Sequence, residues 1–191
     1  MEKLRNLSLW TEEGYHLFAR EGLEGLQIER LARILQLNKS GFYHYFGDLE
    51  GYCMELTKLH HQKVKIFLED ARQLKTLDPD YLLLLIEHTT TVMFQVQLTR
   101  TKDRYSFYNT SELVDLKVNA AVQQLWNDFL GHRHNADLAI RYYYIVRDMF
   151  YTRVSFQNFT YAFLHDLVTD AKVLIDQITE RRLQSTDKFS L

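Results

Sequence analysis

Six of the seven glycines fall within the first 51 residues, at positions 14, 22, 25, 41, 47 and 51, and the only proline is Pro79. These two residue types interrupt helices, glycine through its backbone freedom and proline through its missing N–H. A chain that carries only Gly131 beyond residue 51 is therefore expected to be turn-rich at its N-terminus and built of long helices afterwards. At 191 residues it suffices for one substantial domain, or a small one joined to a medium one. Its 46% hydrophobic and 25% charged content is ordinary for a globular protein. No apolar run approaches the roughly 18 to 20 residues a membrane span needs, and the acidic N-terminus lacks the apolar stretch of a signal peptide. A single cysteine excludes an intrachain disulfide framework and suits a reducing compartment. The expectation is an all-α, cytoplasmic protein with no membrane segment.

In the N-terminal part, Leu7, Trp10, Gly14, Leu17 and Phe18 recur at helical spacing, and Gly22 and Gly25 end that helix. Ile28, Leu31, Ala32 and Leu35 form a second, shorter stripe, with Gln36-Leu37 as the turn into a third helix. The third helix is the run Asn38-Lys39-Ser40-Gly41-Phe42-Tyr43-His44-Tyr45-Phe46. Asn38 suits an N-cap, because its side chain can accept from an orphan backbone N–H. Phe42 and Phe46, four apart, share the core face. Lys39, Ser40, Gly41, Tyr43 and Tyr45 point elsewhere. Hydroxyls and a cation can hold phosphates, and a bare glycine backbone allows close approach, so this inventory suits an element laid on nucleic acid. A short helix, a tight turn and a capped helix form a helix-turn-helix pattern, although a plain helical bundle with a solvated face would read the same way.

The segment Leu17-Phe18-Ala19-Arg20-Glu21-Gly22-Leu23, then Ile28-Glu29-Arg30-Leu31-Ala32, then Lys39 to Phe46, resembles the N-terminal region of TetR-type transcriptional regulators in order and spacing. The resemblance covers about residues 10–52. It implies a homodimeric, ligand-responsive, sequence-specific regulator of transcription, read as a repressor. Residues 1–47 would bind a double-stranded DNA operator, and residues 48–191 would form a larger helical domain for a small-molecule effector and for dimerisation. It also implies DNA contacts from Gln27, Lys39, Ser40, Gly41, Tyr43, His44 and Tyr45. Tyr43 matches a tyrosine that reaches a phosphate, and Gln27 matches a hydroxyl residue at the start of the second helix. Three positions depart from the pattern. Gln36 replaces the turn glycine, Leu49 replaces a lysine at the start of the fourth helix, and Glu29 brings the wrong charge to the second helix.

Residues 1–58 hold seven lysines and arginines against nine acids, a net of −2, which is also the charge of the whole chain. Most DNA-binding modules show a basic footprint. Here Lys3, Arg5 and Lys39 would have to gather at the DNA face while Glu12, Glu13 and Glu21 point away. Affinity from counterion release scales with the phosphates neutralised, so a shallow salt dependence is expected. The alternative is a non-catalytic protein-interaction or ligand-sequestering module of the same fold that has lost DNA binding.

From Asp48 onward only helices are expected. The fourth, capped by Asp48, runs to about Leu74. After the Leu77-Asp78-Pro79-Asp80 break, a fifth apolar helix covers residues 82–98 as the buried centre of its domain. An aromatic segment over residues 105–108 precedes a helix over 111–130, and residues 131–135 read as a loop. Two final helices carry wide apolar stripes, one with Leu138, Tyr142, Ile145, Val146, Met149 and Phe150, the other with Phe163, Leu167, Ala171, Leu174 and Ile178. Burying a Leu- or Phe-sized side chain is worth about 1.5 to 3 kcal/mol, so a second copy of the chain is the expected cover, the alternative being cover of both faces within one subunit. Phe94, Tyr108, Trp126 and Arg147 are candidate effector-pocket residues, although rings in such a domain are more often core.

Other constellations do not complete a site. His60-His61 and His132-x-His134 lack further ligands at metal spacing. Cys53, on a helix face with Leu56, reads as a packed, inert thiol. No nucleophile elbow, glycine-rich phosphate loop or zinc-protease motif is present. Neither catalysis, a cofactor nor a metal is expected.

Overall fold

The computed structural model describes residues 2–101, 107–131 and 136–187. They form helices α1 (Glu2–Glu21), α2 (Ile28–Leu35), α3 (Lys39–Phe46), α4 (Leu49–Ala71), α5 (Leu82–Glu87), α6 (Thr89–Arg100), α7 (Phe107–Leu130), α8 (Ala136–Arg153) and α9 (Tyr161–Asp187). A 3-10 turn, Leu23–Gly25, joins α1 to α2, and a π-type turn, Leu77–Tyr81, precedes α5. No strand occurs among the described residues, and the protein is all-α, with an N-terminal helix-turn-helix followed by a larger helical part. By its contacts the chain divides into two compact units, residues 1–73 with 87–121 and residues 74–86 with 122–191.

The first unit has two aromatic centres, both anchored on α1. Near its N-terminal half, the Trp10 ring meets Phe42 edge-on at 5.4 Å, and Tyr52 lies 4.9 Å from Phe42 and 4.7 Å from Phe46. All four rings are buried. The Tyr52 hydroxyl donates to the Trp10 carbonyl at 2.5 Å. It reaches that carbonyl across Gly14, where a Cβ would lie 1.7 Å from the hydroxyl oxygen and 2.6 Å from the ring carbon bearing it. One turn further along α1, Tyr15 stacks on Phe94 of α6 at 4.2 Å and 7° between planes. Phe18 packs on Phe94 at 4.5 Å and on Phe107 of α7 at 5.5 Å.

A chain of buried polar groups runs beside this second centre. The Tyr15 hydroxyl and His60 Nδ1 are 2.8 Å apart, and His60 Nε2 and Gln95 Oε1 are 3.0 Å apart. Gln95 Nε2 donates to the Ser111 carbonyl at 3.0 Å and to Asp115 Oδ1 at 2.8 Å. Since both of those partners accept, the Gln95 amide nitrogen must face them and its oxygen must face His60. His60 therefore carries its proton on Nε2 and accepts the Tyr15 O–H at Nδ1, so each member is satisfied in one direction. The chain ties α1, α4, α6 and α7 together, and an unsatisfied member would cost about 1 to 3 kcal/mol.

In the second unit α8 packs on α9. Trp126 near the end of α7 is buried and donates from Nε1 to the Ala139 carbonyl at 2.8 Å. Asp78 accepts from the Tyr161 hydroxyl and from His165 Nδ1, both at 2.6 Å, which fixes the start of α9 against the π-type turn. Tyr142, Val146 and Phe150 of α8 and Leu167 and Ala171 of α9 are buried, whereas Ile145, Val173, Leu174 and Ile178 remain exposed.

Two expectations are corrected here. The helix expected over residues 82–98 is broken at His88, whose φ of −94° and ψ of 29° leave the helical region. His88 Nε2 lies 3.1 Å from Asp70 Oδ2 and its ring meets Phe67 edge-on at 5.4 Å, while the three following threonines are weak helix formers. The helix expected from Ser111 begins at Phe107 instead, because Phe107 is buried against Phe18. Tyr105 lies outside the described residues.

Complete burial holds His60 neutral, with its pKa depressed from the ordinary 6.5 to about 3. In the unfolded chain the same ring protonates below about 6.5. Its contribution is therefore fully present above pH 6.5 and is lost as the pH falls towards 3. Stability should fall progressively as the pH drops below about 6.5 on this account. Urea unfolding at pH 7.5, 6.0 and 5.0, compared with His60→Gln, measures that slope, which the variant should lack.

Candidate nucleic-acid interface

The helix-turn-helix is held by local chemistry at each joint. α2 ends at Gln36, which adopts a left-handed conformation, φ 55° and ψ 36°. The Gln36 N–H bonds the Arg33 carbonyl at 3.3 Å and the Leu37 N–H bonds the Ala32 carbonyl at 3.0 Å. This pair of bonds is a Schellman motif, in which glycine usually occupies the left-handed position. A glutamine performs the turn here, at the steric cost an L-residue meets there. Asn38 then caps α3 as expected, its Oδ1 accepting from the Ser40 N–H at 2.9 Å and the Ser40 hydroxyl at 3.0 Å. Asp48 caps α4 by accepting from the Gly51 N–H at 2.8 Å.

α3 divides its residues between core and solvent as its spacing demands. Phe42 and Phe46 are buried, whereas Lys39, Ser40, Tyr43 and His44 are exposed and Gly41 and Tyr45 are half-buried. Tyr43 is 46% exposed. A methyl group added at Gly41 would meet only the Tyr45 ring at 3.7 Å, an ordinary contact. Glycine inside a helix costs about 1 kcal/mol relative to alanine, and packing within the chain gives no reason for it. Gln27 sits at the N-cap of α2, exposed, with its amide nitrogen 3.4 Å from the Glu24 carbonyl. Leu49, in place of the expected lysine, is half-buried at the first turn of α4.

Acids accompany the cations of this region. Arg30 holds both carboxylate oxygens of Glu21, one at 2.8 Å and the other more closely. That guanidinium keeps the Glu21 carboxyl below its ordinary range. Lys39, the first residue of α3, bonds Glu29 of α2. Their mutual hydrogen bond lowers the Glu29 pKa and raises that of Lys39. Both remain accessible, at 45% for the lysine side chain and 70% for the glutamate. Arg33, one turn after Glu29, is exposed. The side chain of Lys3 lies outside the described residues.

Residues 9–51 match the family model of bacterial regulatory proteins, tetR family. They form a tetR-family domain. The tetR-family match brackets α2, α3 and both caps. No curated protein and no solved structure matches the chain.

Beyond the tetR-family domain, the candidate pocket residues have the following surroundings. Phe94 is fully buried in the Tyr15 stack of the first unit, where Tyr108 is 52% exposed. In the second unit Trp126 lies buried beside Phe129, with centroids 6.0 Å apart, and Arg147 lies 4.8 Å over Tyr144 while bonding Asp148 at 2.8 Å. Burial pushes the Cys53 thiol up to about 12, so it stays protonated. No group of three His, Cys, Asp or Glu gathers as a metal site among the described residues, and His132 and His134 lie outside them. No described helix is long and apolar enough to cross a membrane.

The sequence reading missed the partnership of Glu29 with Lys39, which takes the wrong-signed residue out of isolation. Its signal was an acid and a base on either side of the turn. It also missed the roles of Tyr15, His60 and Gln95, whose separation in sequence leaves no local signal.

Because Gln36 occupies a left-handed position with no side-chain reason to do so, Gln36→Gly should stabilise the protein by about 0.5 to 1 kcal/mol. The urea midpoint should rise at unchanged slope.

Proposed function

We propose that the chain is a homodimeric, ligand-responsive repressor of transcription in the cytoplasm. Residues 1–47 bind a double-stranded DNA operator, and residues 48–191 bind a small-molecule effector and a second copy. The observation that carries this reading is the outer face of α3. It presents Lys39, Ser40, Tyr43 and His44 to solvent around a glycine that no internal contact requires. A bare helix backbone beside hydroxyls suits close approach to a duplex, with hydroxyls on phosphates and α3 in the major groove. Gln27 and Tyr45 flank this face, and Phe94, Tyr108, Trp126 and Arg147 remain the proposed effector contacts. The exposed Ile145, Val173, Leu174 and Ile178 supply the apolar surface for the second copy.

A second reading is a protein-interaction or ligand-sequestering module without DNA binding. The Glu21–Arg30 and Glu29–Lys39 pairs favour it, since two of the cations near the interface already carry carboxylates. Binding to random duplexes at low salt separates the two.

If the first reading holds, Tyr43→Phe should weaken binding about five- to tenfold on every duplex, the worth of one hydrogen bond. Lys39→Ala should chiefly relax sequence preference. With four or five phosphates held per dimer, log K should fall against log salt with a slope of about −4. Fluorescence anisotropy across salt concentrations measures all three, and absence of binding by the wild-type chain would remove this reading. For the dimer, sedimentation should give twice the 22.9 kDa chain mass, and Leu174→Glu with Ile178→Glu should give the monomer.

A further inference from the structure

The Glu29–Lys39 pair is the feature of the α2–α3 face that a phosphate-binding account leaves unused. An exposed ion pair is worth about 0 to 1 kcal/mol to a fold, so stability gives little reason to hold an acid at this place. Near a duplex an unaccompanied glutamate is repelled by phosphates. Joined to Lys39 it becomes half of a neutral unit that offers hydrogen-bond donors and an acceptor side by side. The Schellman turn at Gln36 and the Asn38 cap set the backbone joint between α2 and α3, the two helices that carry the pair. Tyr43 stands four residues beyond Lys39 on the same helix.

The major-groove edges of the base pairs differ in the order of their groups. A G·C pair presents two neighbouring acceptors, guanine N7 and O6, followed by the cytosine N4–H donor. An A·T pair presents an acceptor, a donor, an acceptor and then the thymine methyl. An ammonium beside a carboxylate matches the first order and not the second. Lysine reaches guanine O6 and N7, and glutamate accepts from cytosine N4. We propose that Glu29 and Lys39 together read one G·C pair in each half-site, Lys39 on the guanine and Glu29 on the cytosine. The proposal rests on the DNA-binding reading above. Because the unit is neutral overall, it contributes base preference while adding little to the salt dependence.

The test is selection of bound sequences from random double-stranded DNA with the full-length wild-type chain, Glu29→Gln and Glu24→Gln. Affinities are then measured on the selected site and on the same site with one G·C pair changed to A·T. Glu24, exposed on the turn before α2, is the control for loss of one negative charge, and circular dichroism confirms that each variant is folded. The wild-type site should contain a G·C pair in each half whose replacement weakens binding about 5- to 150-fold, the range for one well-read pair. Glu29→Gln should still bind and should reduce that discrimination at least about twofold, leaving the part that Lys39 supplies on the guanine. Glu24→Gln should leave it unchanged. If Glu29→Gln binds all duplexes more tightly with its discrimination intact, Glu29 only mutes Lys39 and the proposal is overturned. If Glu29→Gln binds DNA where the wild type does not, the acid is an inhibitor rather than a reader, and the proposal is again overturned while the DNA-binding face survives. If no form binds DNA, the DNA-binding reading fails and takes this proposal with it.

Discussion

The stack of Tyr15 on Phe94, with the Tyr15 hydroxyl on His60, fixes α1 against the core of the first unit. The helix-turn-helix inherits its position from that contact. α1 carries Trp10 as well as Tyr15, and Trp10 receives Phe42 from α3 and the Tyr52 hydroxyl from α4. A shift of α1 therefore moves α3 with it. The polar chain through His60 and Gln95 makes such a shift costly, because sliding either helix leaves a buried donor or acceptor unmatched. A ring stack alone would tolerate a small slide with little loss. Hydrogen bonds of fixed length and direction do not, and in this arrangement they supply the register that the aromatic contacts lack.

The electrostatics of the tetR-family domain set the kind of recognition it can perform. With a net charge of −2 over residues 1–58 and two cations committed to glutamates, long-range attraction to a polyanion is weak. Hydroxyls, amides and an ion pair work only at contact distance. An interface of this composition favours discrimination between sequences over tight holding of any sequence, because the nonspecific part of DNA affinity comes mostly from counterion release. On the proposed function, the large searching affinity of a basic domain is absent, and occupancy depends on the quality of the match.

What the sequence disclosed and what it hid divide along the range of the interactions. α3 was legible because its cap, its two core phenylalanines and its outward residues are set within nine consecutive positions. The Asp48 cap and the Gly22 break were legible for the same reason. Gln36 as a turn residue contradicted the expected glycine, yet the turn forms, because two backbone bonds to Ala32 and Arg33 impose it from outside the side chain. The break at His88 was invisible because its cause includes Asp70, 18 residues earlier. The polar chain was hidden likewise, its members lying 45, 35 and 20 residues apart at successive links. For the interface, the residue types on α3 were readable and their exposure followed from helical spacing. For Glu29 the sequence shows the sign of the charge but not the Lys39 partner that the turn brings to it. Whether an aromatic ring lines a cavity or fills a core is decided by its neighbours in space, which a ring's identity does not reveal.

The crossing of Tyr52 over Gly14 has an evolutionary corollary. Position 14 has no room for a β-carbon while an aromatic ring occupies position 52, since even with the hydroxyl removed the ring carbon would lie 2.6 Å away. The two sites can thus drift only in step. A descendant that acquires a side chain at 14 must first shorten residue 52, giving up its bond to the Trp10 carbonyl and a ring from the cluster beneath α3. A side chain at 14 meets the ring, and a shortened residue 52 loses the Trp10 bond, so glycine at 14 and tyrosine at 52 hold each other in place.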